Sequence, residues 1–219
     1  MPEINACIFD LDGVIVDTAK YHFKGWQRLA GQLGIEFTLE DNEELKGVSR
    51  RESLNKILEM GDKSVPEGEK KGLTDRKNEW YRDYISHMSP DEILEGVKPF
   101  MDELKNRDIK VGVGSSSKNT PYILKAIGLS DYFDAVVDGN MVEHTKPHPE
   151  VFLKGADRMD VDPQNCVVFE DAVSGVQAAR RAGMMVVGVG EQEVLDDADL
   201  VIPGFANFSV DDLIEEFVT

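Results

Sequence analysis

The stretch INACIFDLDGV (residues 4–14) opens with a short apolar run that stops on Asp10; Asp12 and Gly13 follow at once. An apolar run of this length reads as a strand buried on both faces, the kind found inside a parallel sheet. Acids placed directly after such a strand stand at its carboxyl end, and that is where open parallel sheets hold their ligands.

Working outward, the rhythm changes and then returns. From Thr18 to Leu33 the apolar residues Trp26, Leu29, Ala30 and Leu33 recur at helical spacing, with Gly34 as a C-terminal stop. Leu54, Ile57 and Leu58 mark a second helix over about 51–60, and the chain stays helical and charged up to Pro90. From about Ile93 helices alternate with the strand-like runs IKVGVG (109–114), DAVVDG (134–139), CVVFE (166–170) and MMVVGVG (184–190). This alternation predicts an α/β fold, a doubly wound parallel sheet with a Rossmann-like core, and the first strand must join it across an all-helical insert. The expected division is residues 1–15 and 93–219 for the core and 16–92 for the insert.

Composition narrows the partners. The 219 residues carry a formal net charge of −18, which argues against nucleic acid or an anionic membrane surface as a ligand. A small phosphorylated substrate would need a few cations placed locally against that field. Cys7 and Cys166 sit in apolar runs and imply no disulfide framework. The opening Met1-Pro2-Glu3 lacks a basic region and a long apolar stretch, so the expected location is cytoplasmic.

The polar residues gather at strand ends: Asp10 and Asp12 after the first, Ser115 after the second, Lys146 beyond the third, Glu170 and Asp171 after the fourth. Singly, each is an ordinary turn or cap residue. Together they meet the needs of phosphoryl transfer, which asks for a nucleophile, a divalent cation and positioned donors for the equatorial oxygens. Hard carboxylate oxygens suit Mg2+, and a cation makes such a cluster of acids tolerable.

These residues resemble the haloacid dehalogenase superfamily over essentially the whole chain, through FDLDGV (9–14), VGSSSKN (113–119), TKPHP (145–149) and FEDAVSGVQAARRAG (169–183). The resemblance implies that Asp10 is the nucleophile and Asp12 the general acid and base. Residues two apart in an extended segment point the same way, so both carboxyls can face one phosphate. It implies that Ser115 and Lys146 hold phosphoryl oxygens, that Asp10, Asp12, Glu170 and Asp171 hold Mg2+, that the helical insert is a cap choosing the substrate, and that the protein is a monomer.

Within the insert, DTAKYHFKGW (17–26), LKGVSRRESL (45–54) and DRKNEWY (75–81) resemble the β-phosphoglucomutases. That likeness gives Arg50 the grip on the phosphate that is not reacting, with Ser116, Ser117, Lys118 and Asn119 about the same phosphate or beside it and Gly47 and Val48 near the sugar. Thr18, His22 and Lys77 would link the cap to Asp12. Tyr21, Phe23 and Trp26 are expected in the cap core, and His87, His144 and His148 are surface or loop residues. The expected activity is interconversion of β-glucose 1-phosphate and glucose 6-phosphate through an aspartyl-phosphate and a 1,6-bisphosphate. A Mg-dependent sugar-phosphate phosphatase is the alternative, since the core motifs serve both.

Overall fold

The computed structural model describes residues 3–45 and 48–218. Among these, two compact units separate: the described residues up to Asp17 together with those from Ser89 onward, and Thr18–Met88. The helical unit therefore starts and stops inside the 16–92 span. The reason is local, because Val16 bridges Ile93 and the Leu94 N–H donates to the Ile15 carbonyl, which ties both connecting segments to the α/β unit.

The α/β unit is built on a six-stranded, wholly parallel sheet: β1 (Ala6–Phe9), β2 (Lys110–Gly114), β3 (Ala135–Val137), β4 (Cys166–Glu170), β5 (Met185–Val189) and β6 (Leu200–Ile202). Their spatial order is β3-β2-β1-β4-β5-β6, so the first strand lies inside, flanked by β2 and β4. Every residue of β1 is buried, as an apolar strand covered on both faces must be. Alternation along it sends Ala6 and Ile8 into a layer with Phe152, Ala156, Val176 and Ala179, which belong to the helices Glu150–Met159 and Val173–Arg181. Phe9 faces the other way and stacks on Phe169 with centroids 4.7 Å apart, and Phe100 and Phe205 close the same cluster. Phe100 comes from the helix Val97–Asn106. Helices thus cover both faces, and the order reverses at β1, which opens a crevice at the carboxyl ends of β1, β2 and β4.

The second unit is all helical: Ala19–Gln32, Leu39–Glu43, Arg50–Met60 and Glu67–Ile85. Its core joins Trp26, Leu29, Ile35, Phe37, Leu54, Ile57 and Leu73, with Phe23 packed at the side. Trp26 and Phe23 are therefore packing residues, as their helical spacing predicts. Gly34 takes φ +70° just past the first helix, a conformation in which glycine carries no Cβ penalty.

Candidate active site

Register brings three strand ends together. Phe9 pairs with Val113 of β2 and with Phe169 of β4, and the Asp10 N–H donates to the Phe169 carbonyl at 2.9 Å. Asp10, Ser115 and Glu170 thus leave the sheet side by side, and all three are buried. The Asp12 N–H turns back onto Asp10 Oδ2 at 2.9 Å, which orients the first carboxylate within its own loop. Asp171 lies against that loop too, because a methyl group at Gly13 would fall 2.0 Å from Asp171 Oδ2. Gly13 also holds φ +83°, so position 13 excludes a side chain twice over.

Lys146 supplies the positive charge at the centre. Its side chain is 7% exposed and its ammonium contacts Asp10 Oδ1, Glu170 Oε1 at 2.5 Å and the Gly114 carbonyl at 2.9 Å. Those are three acceptors for its three donors. Burial alone would lower the Lys146 pKa, but the carboxylates of Asp10 and Glu170 reverse this and raise it well above the usual lysine value. Burial raises Glu170, and Asp10 adds to that while Lys146 opposes it. Its Oε2 accepts the Ala172 N–H at 3.0 Å.

Asp171 is pushed up to about 8, by desolvation first and then by the negative charges of Asp10, Glu170 and Asp12. Its side chain is exposed just past β4, beside the negative charges of Asp10, Glu170 and Asp12. The donor set is all oxygen, with the Lys146 ammonium in its midst. Such a set fits a hard divalent cation, which would lower the repulsion that now lifts Asp171.

Beyond β2 a chain of hydroxyls organises the turn. Ser115 Oγ accepts the Ser117 N–H at 3.1 Å, Ser117 Oγ accepts the Asn119 N–H at 3.2 Å, and Asn119 stands at the N-cap position of the helix Thr120–Ala126 without capping it through its side chain. Ser116 and Lys118 are exposed on this turn, whereas Ser115 and Asn119 are buried. Asp138, just past β3, is buried as well and accepts the Asn140 N–H at 2.7 Å. Sequence reasoning passed over Asp138 because an acid before Gly139-Asn140 looks like any other turn.

In the helical unit, Lys77 is 2% exposed and its Nζ lies 2.9 Å from His22 Nδ1. The same ammonium sits 4.6 Å from the ring of Trp26 and 5.0 Å from that of Tyr81. Burial, then the charge of Arg50, hold Lys77 well below the usual lysine range; burial, then Lys77 and Arg50, do the same to His22. Arg50 opens the helix Arg50–Met60, and burial depresses it against the pull of Asp75 and Tyr81. Gly25 was not singled out from the sequence, yet a methyl there would come within 2.9 Å of Lys77 Cε, so a bare backbone at 25 makes the room that Lys77 fills. Thr18 is the N-cap of the first helix without using its side chain to cap, and the Val48 N–H donates to Leu45 at 3.1 Å. Gly47 lies outside the described residues.

Comparison with known proteins places this geometry. Residues 4–183 match the haloacid dehalogenase-like hydrolase family. The chain is 43% identical over 216 residues to a β-phosphoglucomutase of Bacillus subtilis, covering 98% of this chain and 96% of that protein. It is 37% identical over 183 residues to a fructose-1-phosphate phosphatase of Escherichia coli, covering 83% and 94%. The crystal structure of β-phosphoglucomutase from Clostridium difficile superposes with a TM-score of 0.90 at 42% identity, over 98% of this chain and 97% of that one. The chain belongs to the haloacid dehalogenase-like hydrolase family.

Proposed function

We propose that the protein is a β-phosphoglucomutase, converting β-glucose 1-phosphate to glucose 6-phosphate and back. One observation carries this reading beyond the family: the helical unit spends stability on a buried Lys77 paired with a half-buried His22 near Arg50, in segments similar to the mutases. A hydrolase that hands phosphate to water has no need of a cap so furnished.

In the first half-reaction the 6-hydroxyl of β-glucose 1-phosphate attacks the phosphorus of phospho-Asp10, Asp12 takes the hydroxyl proton, the bond from phosphorus to Asp10 breaks and a 1,6-bisphosphate forms. After the bisphosphate turns over in the site, an Asp10 carboxylate oxygen attacks the phosphorus at position 1, the bond to the sugar oxygen breaks, and Asp12 returns its proton to that departing oxygen to give glucose 6-phosphate and phospho-Asp10. The Asp12 N–H on Asp10 Oδ2 and the Lys146 ammonium on Oδ1 fix the direction of attack before substrate arrives. Ser115 and Lys146 steady the transferring oxygens. A Mg2+ ion would be held by Asp10, Asp12, Glu170 and Asp171, and when bound it neutralises phosphate charge. Arg50 offers a planar fork of donors for the phosphate that is not reacting, and Ser116, Ser117, Lys118 and Asn119 offer polar groups on the turn after Ser115. Thr18, His22 and Lys77 make proton transfer at Asp12 depend on a bound sugar.

The test supplies β-glucose 1-phosphate, Mg2+ and a trace of glucose 1,6-bisphosphate, then compares glucose 6-phosphate with free phosphate. Isomer formed in large excess over phosphate is expected. Phosphate released without isomer would instead support the sugar-phosphate phosphatase, the reading favoured by the likeness to the fructose-1-phosphate phosphatase.

A further inference from the structure

We propose that His144, His148 and Glu150 form a second metal site, separate from the carboxylate cluster, that takes a borderline divalent ion such as Zn2+ or Ni2+. One ligand atom from each of the three side chains lies within 4.8 Å of the others. The two imidazole rings stack with centroids 4.4 Å apart and planes inclined by 29°, and His144 Nδ1 is 3.1 Å from Glu150 Oε2. Two imidazoles with one carboxylate make a donor set suited to Zn2+, Ni2+ or Cu2+, whereas Mg2+ favours an all-oxygen set such as the one at the strand ends. The two sites would therefore sort ions by chemistry.

The loop is arranged for this before any ion binds. Glu150 is the first residue of the helix Glu150–Met159, and its carboxylate accepts the Glu143 N–H at 3.1 Å and the His144 N–H at 2.9 Å. The segment is thereby folded back so that positions 144 and 148 come to the same carboxylate. Lys154 and the two backbone donors hold the Glu150 carboxylate in place at the start of its helix. Both histidines are exposed, which lets a hydrated ion reach them with no opening of the fold and leaves its remaining positions to water. Two contacts compete with the ion: Lys154 Nζ at 2.6 Å from Glu150 Oε1, and the Glu150 N–H at 3.3 Å from His148 Nδ1. They make the site weaker than a structural zinc centre. Lys146 lies between the ligands in sequence, so a bound ion would brace the loop that delivers its ammonium to Asp10 and Glu170.

The experiment is calorimetric titration of the full chain with NiCl2 and with ZnCl2 in excess Mg2+, which occupies the oxygen site. His144→Asn, His148→Asn and the double variant are run beside it, with His87→Asn as the control and circular dichroism to show that each is folded. One saturable equivalent is expected in the parent and in His87→Asn. Affinity should fall at least tenfold in each single variant and vanish in the double one. An isotherm unchanged in either folded single variant, or no saturable binding in the parent, overturns the proposal.

Discussion

Lys77 puts an ammonium 2% exposed among Trp26, Tyr81 and His22, with the charge of Arg50 against it. Burying a cation this way costs free energy that packing of a neutral chain would not, so Lys77→Met should raise stability by about 1–2 kcal/mol while isomerisation falls on the order of 10–100-fold. The pH dependence has a definite sign. The folded state resists protonation of Lys77, while the unfolded chain binds that proton below the ordinary value of 10.5. Stability therefore rises with pH between the depressed folded value and 10.5, and the variant's advantage in melting temperature should shrink as pH climbs from 7 to 10. A constant advantage would contradict the buried-charge account. Arg50→Ala belongs to the same scale: losing a bidentate grip on a distal phosphate should cost isomerisation roughly 100-fold and leave hydrolysis of a small aryl phosphate nearly untouched, so equal losses would refute the assignment. Residues such as Asp10 and Lys146 were legible because ordered motifs placed them. Gly25 was not, since its use lies in what a missing side chain leaves for Lys77, a residue 52 positions on.

Among elements, the helix Val173–Arg181 shows two principles in opposition. Gly175 lies within it, and alanine is the better helix former by about 1 kcal/mol. A methyl there would meet Glu170 Cδ at 1.8 Å, so the carboxylate must move and release Lys146 from a buried pair whose breaking costs about 3–5 kcal/mol. Gly175→Ala is expected to lose activity by more than 100-fold and to melt earlier; a stabilised, active variant would show that Glu170 can move without consequence. The elements Leu39–Glu43, Leu200–Ile202 and Val210–Val218 escaped the sequence reading, each for its own reason. Leu39–Glu43 holds one apolar residue and owes its helix to a reciprocal cap, with the Thr38 hydroxyl accepting the Asp41 N–H at 3.2 Å and Asp41 Oδ2 accepting the Thr38 N–H at 2.7 Å. Thr38→Ala should cost about 1 kcal/mol in chemical denaturation with kcat unchanged. Leu200–Ile202 is a three-residue edge strand, too short for any period to register. Val210–Val218 does carry apolar residues at 210, 213, 214, 217 and 218, a helical stripe that lay beyond the last strand considered.

For the molecule as a whole, the doubly wound sheet was legible because β1, β2, β4 and β5 are each buried runs separated by amphipathic helices, and burial on both faces leaves little else for such runs to form. The strand order was not, since pairing between β1 and β4 spans some 160 residues and no local pattern encodes it. The same scale holds the net charge of −18, which no single residue reveals. A sugar phosphate approaching the protein meets a repulsive long-range field, against which a cation such as Lys146 beside Asp10 acts only at close quarters. Salt shortens the reach of that field, the Debye length falling from about 30 Å at 0.01 M to about 8 Å at 0.15 M, while buried contacts such as those of Lys146 are screened far less. With Mg2+ saturating, so that weaker cation binding does not intrude, raising KCl across this range should increase kcat/KM for β-glucose 1-phosphate a few-fold, carried by KM, with kcat steady. A fall in kcat/KM over the same range would mean that the local cations, not the net charge, govern how substrate arrives.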